Sequence, residues 1–338
     1  MDWKKSFQLA SVYVGSVVGA GFATGKEIVE FFSQYGLYGL FGIILAGLGF
    51  IYFGVKVMEM AIRLNAKSYE ELTMYLFSPI FAPIINIFMF LMLIGASSVM
   101  LSGAGSVFEE HLNIPREMGI LFTIGLSLIV LMVGTKGLVI VNLLVVPLLI
   151  LFNLFLAFLS MQLPEFYSNV QALGSTNWKW FLSAFSYVAF NITLTQAILV
   201  PAANEIGDVK VVKAGGIIGG LLLTLILITS HMTLVQLPNL TSYHIPMAMI
   251  MHELAKSLYL FFILIIYGEI FTSIIGNIYG LERFLKKWLP FKTIFVGILI
   301  FSVTYLISKI DYSTLLSTLY PLFGYISLVF LVLLIIRK

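Results

Sequence analysis

Apolar runs long enough to cross a bilayer follow one another along almost the whole chain. In hydrocarbon every main-chain amide and carbonyl needs a partner within its own segment. A run of about 20 apolar residues is therefore a helix. Ten such helices are expected, at about 6–33, 37–62, 80–108, 117–134, 137–162, 178–203, 211–236, 256–283, 291–308 and 313–336. The longest hydrophilic connections, about 163–177 and 237–255, leave no room for a large soluble domain. Only 10% of the residues are charged and 60% are hydrophobic, against about 25% charged in a soluble domain. An all-α polytopic membrane protein, with residues 1–338 forming one transmembrane domain, is the expected class.

There is no cysteine, which excludes disulfides and thiolate metal sites. The net charge of +3 is small and dispersed, and without a polybasic tract nucleic acid is not an expected partner. Lys4 and Lys5 before an apolar run, and "GAGFA" after it, loosely match a cleavable signal peptide. Apolar character resumes at Phe31 and Phe32, so an uncleaved first span is expected. With the N-terminus inside, the cytoplasmic ends collect Lys4, Lys5, Arg63, Lys67, Lys136, Lys210, Lys213, Arg283, Lys286, Lys287, Lys292, Arg337 and Lys338. The exterior ends hold Arg116, Lys179, Lys256 and Lys309. This bias puts both termini in the cytoplasm and agrees with an even number of spans.

Ten spans divide into halves of five, about 6–162 and 178–336. An odd number per half sets the halves in opposite orientations, as in inverted-repeat transporters. The spacing of unusual features agrees: Gly21 to Gly103 is 82 residues, and so is Asn191 to Ser273.

The first span reads "VGSVVGAGFATGKEIVEFF". Its glycines permit close helix packing, since Gly15 and Gly19 form a GxxxG. They equally permit a break, which would expose carbonyls for a cation and amides for an anion. Lys26, Glu27 and Glu30 follow. Lys26 and Glu30 are four apart and can pair on one helix face. In the sixth span "FNITLTQ" sets Asn191, Thr193, Thr195 and Gln196 at mid-membrane depth, which suggests a second interrupted helix in the matching position. In the eighth, "GEIFTSIIGN" places Glu269 about one turn before the adjacent hydroxyls of Thr272 and Ser273. Hydroxyl and carbonyl oxygens are hard, neutral ligands suited to an alkali cation. An acid at this depth is a functional candidate, whether it coordinates a cation, carries a proton or binds an amine.

The stretch "GSVVGAGFATGKEI" resembles the first-helix signature of the YkvI-type membrane proteins of bacteria, within the amino acid–polyamine–organocation superfamily. The resemblance implies the LeuT fold, a 5+5 inverted repeat with helices 1 and 6 unwound at the centre. It implies a sodium site at the carbonyls of Gly15, Val18 and Glu269 and the hydroxyls of Thr272 and Ser273. It further implies a substrate site at Gly19, Ala20, Gly21 and Phe22 of helix 1 and at Phe190, Asn191 and Thr193 of helix 6, with Phe185 as an aromatic gate. Ala189 stands where such carriers have glycine. Some proton-coupled relatives place a lysine of helix 5 at the sodium position; helix 5 here carries Asn142, Pro147 and Asn153. Some relatives also close an extracellular gate with a basic residue near Lys26, though helix 10 has no core acid to meet it. "HIPMAMIMHELAK" reads as a short amphipathic helix capping the outer vestibule.

The leading expectation is a secondary transporter of the bacterial cytoplasmic membrane, a sodium-coupled symporter for an amino acid or small organic amine. Na+ is the expected coupling ion, with no other cofactor. A small-molecule substrate and membrane lipid are the expected partners; no sequence signal addresses the oligomeric state. A proton-coupled carrier using Glu269 and a LeuT-fold receptor that binds without transport are the alternatives. No P-loop supports ATP-driven transport, and no metal spacing or Ser/His/Asp arrangement supports an enzyme.

Overall fold

The computed structural model describes residues 2–133, 135–174, 178–286, 289 and 291–337. Lys287 and Lys338 lie outside the described residues, as do the side chains of Lys136, Asn142 and Arg283. The described chain is helical throughout, in fourteen α-helices joined by short connections. The first expected span is in three pieces: α1 (Trp3–Val17), α2 (Ala20–Ala23) and α3 (Lys26–Phe31). Then come α4 (Leu37–Arg63), α5 (Tyr69–Leu112), α6 (Arg116–Val133), α7 (Thr135–Ser160) and the short α8 (Phe166–Gln171). The second half holds α9 (Lys179–Ile206), α10 (Val209–Leu234), α11 (Pro246–Leu254), α12 (Tyr259–Leu285), α13 (Thr293–Ser308) and α14 (Tyr312–Ile336). Each expected span is occupied by helix. Among the described residues, six helices are by themselves long and apolar enough to cross a membrane.

Local chemistry sets the ends. Asp2, Asp208 and Asp311 cap α1, α10 and α14, each carboxylate accepting from an amide of the first turn. Asn113 and Gly207 close α5 and α9 in the left-handed conformation. In α5 the chain kinks at Ser78, directly before Pro79, so a separate helical segment precedes the expected span at 80.

Helices α1, α4, α9 and α10 form one packed group, and α5, α6, α12 and α13 a second. Helix α14 bridges them through α9 and α5, while α2 touches α12 and α3 touches α14, α9 and α10. The interrupted first span thus runs through the middle of the bundle. The outer face is apolar: Ile80, Ile84, Ile87 and Leu91 of α5 are 79%, 62%, 57% and 54% exposed and share one helical face. Such a stripe suits acyl chains.

Because the chain has no cysteine, single introduced cysteines report sidedness directly. Ser242→Cys is expected to react with an impermeant maleimide on intact cells, and Lys67→Cys only after permeabilisation. The opposite pattern would invert the orientation read from the charges.

Candidate functional site

Helix α1 stops at Val17 and α2 starts at Ala20, with Gly19 extended between them. The last turn of a helix leaves its carbonyls without intrahelical partners, and the first turn leaves its amides. Main-chain oxygens from Gly15 to Val18 and amides from Ala20 to Phe22 are therefore released at one point. A second break was not foreseen. Gly25 adopts φ +80° between α2 and α3, a conformation that glycine adopts without a steric cost. A Cβ there would lie 2.6 Å from Met247 Cγ, and the Met247 amide donates to the Thr24 carbonyl at 3.0 Å. The turn thus seats α11, the expected amphipathic cap, on the first span. The T-G dipeptide before a charged helix start was its signal.

A cavity of about 250 Å³ lies against the first break. Gly15, Ser16, Val17 and Gly19 form one wall and Thr272, Ser273, Gly276 and Asn277 of α12 another. Phe190, Asn191, Leu194 and Ile198 of α9, Met100 of α5 and Tyr320 of α14 complete it, with Glu27 of α3 at its end. Gln8, Ser11 and Val12 form the mouth, and exposure rises along α1 toward Gln8. The cavity therefore opens toward the N-terminal end of α1. Ser273 and the break are in close register: a Cβ on Gly19 would lie 3.4 Å from Ser273 Oγ.

The structure brings Gly15, Gly19, Phe190, Asn191, Thr272 and Ser273 to this cavity. Val18, Ala20, Gly21 and Phe22 are buried beside it. The Thr272 hydroxyl donates to the Glu269 carbonyl at 3.1 Å, joining two oxygens expected around one cation. The Glu269 side chain is fully buried, does not line the cavity, and neither of its oxygens has a hydrogen-bond partner among the described residues.

Four expectations are corrected. Helix 6 is not unwound: α9 is continuous through Asn191. Ala189 favours helix where glycine would not, and the polar side chains bond back along the helix. Asn191 Nδ2 donates to the Tyr187 carbonyl at 3.1 Å. Phe185 does not gate the cavity; it is 38% exposed and packs edge-on to Phe181. Tyr187 is the buried aromatic at this level, with Phe31, Phe32 and Phe50 ring centroids 4.9–5.7 Å away. Thr193 is buried but turned off the cavity, its hydroxyl without a partner among the described residues. Lys26 and Glu30 form no ion pair within 4.0 Å. Instead Lys26 Nζ donates to the carbonyls of Thr241 (2.7 Å) and Tyr243 (3.0 Å), on the strap leading into α11.

The α11 side is therefore closed. Lys26 holds the strap, Thr24 Oγ1 meets the Tyr312 hydroxyl at 2.7 Å, and Gly25 seats Met247. Glu27, read from the sequence only as a charge that follows the glycines, is 3% exposed and lines the cavity. Tyr320 was also missed, although a tyrosine before Pro321 in an apolar helix is a visible irregularity.

The chain is 49% identical over 331 residues to the uncharacterized membrane protein YkvI of Bacillus subtilis (strain 168), covering 98% of this chain and 95% of that protein. It is 23% identical to the uncharacterized protein YyaD of the same organism, over 99% and 98% of the two. No family model matches. Among solved structures, MhsT in complex with L-phenylalanine matches with a TM-score of 0.68 at 16% identity, over 95% of this chain and 87% of that one. A mutant of the manganese transporter of Eremococcus coleocola gives 0.69 at 15%, over 98% and 79%. A Na+-coupled sialic acid symporter gives 0.65 at 11%, over 95% and 75%. These likenesses show a shared LeuT-like fold.

Hydrogen bonds to a charged group contribute about 1.5–3 kcal/mol each, so loss of the Lys26 pair should loosen the closed side. With Asn191→Cys as reporter, Lys26→Met is expected to raise labelling from the α11 side roughly tenfold or more. An unchanged rate would show that Lys26 does not latch the strap.

Proposed function

The chain belongs to the family of the Bacillus subtilis membrane protein YkvI, and on that footing we propose that it is a secondary active transporter of an amino acid or small organic amine, coupled to sodium. The observation that carries the reading is the cavity at the break of the first span. It is closed under α11, opens toward the N-terminal end of α1, and is flanked by Thr272 and Ser273 on one side and Phe190 and Asn191 on the other. A solute site set at a helix break and open to one side suits alternating access.

In this reading the ten spans form a 5+5 inverted repeat in a bacterial cytoplasmic membrane, with both termini inside. Sodium sits between the carbonyls of Gly15, Val18 and Glu269 and the hydroxyls of Thr272 and Ser273. The substrate meets the main chain from Gly19 to Phe22, together with Phe190 and Asn191. Sodium, by tying α12 to the first span, favours the state open on the α11 side; substrate then lets the strap close over it. The cavity walls suit an organic solute. Among the described residues no three His, Asp or Glu side chains gather to hold a metal ion, which argues against a transition-metal cargo such as that named for the Eremococcus protein.

One observation favours a second reading. The Glu269 carboxyl is fully buried with no partner among the described residues, one turn from Thr272. Burial of an ionised carboxylate is costly, so this group suits a carried proton.

A thermal-shift screen of the purified protein against amino acids and amines, with Na+, K+ or Li+ at two pH values, identifies the ligand and its ion. In proteoliposomes, Thr272→Ala combined with Ser273→Ala is expected to abolish sodium-dependent uptake of that ligand. Unchanged sodium dependence would remove the ion site from these residues. Uptake driven by a pH gradient without sodium, and lost in Glu269→Gln, selects the proton reading. Binding with no uptake under any gradient selects the receptor.

A further inference from the structure

Glu27 is an acid that lines the cavity, and no lysine, arginine or histidine lines it with Glu27. Its side chain is 3% exposed, and Oε1 has no hydrogen-bond partner among the described residues. The Tyr187 hydroxyl and Asn191 stand beside the carboxyl group. Among the described residues the Tyr187 hydroxyl makes no bond of acceptable geometry, and one of the two Asn191 amide hydrogens goes to the Tyr187 carbonyl. The adjacent residue supplies no counter-charge either, because the Lys26 ammonium is held by the Thr241 and Tyr243 carbonyls.

The carboxyl group lies against the main chain of α2 at Gly21. A Cβ on Gly21 would lie 2.5 Å from Glu27 Oε2, so the bare backbone at Gly21 is what admits it. Beside it, Phe190 and Tyr320 line the same wall with ring centroids 4.5 Å apart. Aromatic rings next to an acid make a favourable environment for an organic cation.

We infer that Glu27 is the counter-charge for the ammonium group of the transported solute, so that the cavity selects amines and zwitterions over anions of the same shape. The inference rests on the transport reading above and deepens it. Amine recognition then falls to a side-chain carboxylate on α3, on the far side of the helix break from the carbonyls expected to hold sodium. A solute arriving with its ammonium group completes an ion pair that no described residue makes.

The test is equilibrium binding to the purified full-length protein. The probes are n-butylamine, butan-1-ol and butyrate, the matching 3-phenylpropyl series, and a panel of the common L-amino acids. Amines or zwitterions are expected to bind the wild type and the matching anions are not. Glu27→Gln should weaken amine binding roughly 30-fold or more, as truncation of one partner of a buried charge pair does. Glu27→Asp should keep part of the affinity. Gly21→Ala leaves the acid in the sequence but displaces its oxygen, and should also weaken binding; it decides the matter if Glu27→Gln does not fold.

Amine binding that is unchanged in Glu27→Gln and Gly21→Ala would overturn this inference and leave the transport reading standing. Preference for butyrate or 3-phenylpropionate would overturn it as well. If the wild type binds no amine and no amino acid, both the inference and the proposed substrate class fall.

Discussion

The need to satisfy main-chain polar groups away from water governs this structure. A continuous helix meets it alone; the first span, interrupted at Val18–Gly19 and again at Gly25, does not. Its released carbonyls and amides are tolerable only inside the bundle. The surrounding helices supply that interior: α12 and α5 on one side, α9, α10 and α14 on the other. The apolar stripes face outward and the cavity sits at the break. Both follow from where the irregular backbone has to be buried.

Electrostatics then divides two neighbouring residues. Lys26 turns toward a strap of main-chain carbonyls and Glu27 toward the cavity. The two charges neutralise different surroundings, although they are one peptide bond apart. A half-turn at Gly25 aims them: the left-handed residue resets the helical phase, so the positions after it face directions that a continuous helix from Ala20 would not give.

The apolar runs were legible because lipid exposure selects them, and among the described residues helix fills most of each expected span, the first in three pieces. The kink at Ser78 marks an added turn before the third. The break near Gly19 was legible because glycines cluster there. The supposed break in α9 was misread because polarity was taken as a sign of unwinding. Asn191 instead bonds to the carbonyl of Tyr187 one turn earlier, and Ala189 keeps the helix regular. Glu27 was visible as a charge, but its aim depends on the Gly25 turn, which no periodicity reveals. Phe185 and Phe190 illustrate the same limit. Five residues apart on one helix, they face the outer surface and the cavity respectively.

The partners of Lys26 are main-chain oxygens, and that has a consequence for how the closed side can vary. A carbonyl is present whatever residue stands at 241 or 243, so the strap needs only its backbone path to receive the ammonium. The side chains there are free to drift without loosening the closure. The information for the latch is concentrated in a single codon on the first span and in the glycine that aims it. Mutational tolerance should therefore be steeply uneven across this contact, broad on the strap and narrow at positions 25 and 26.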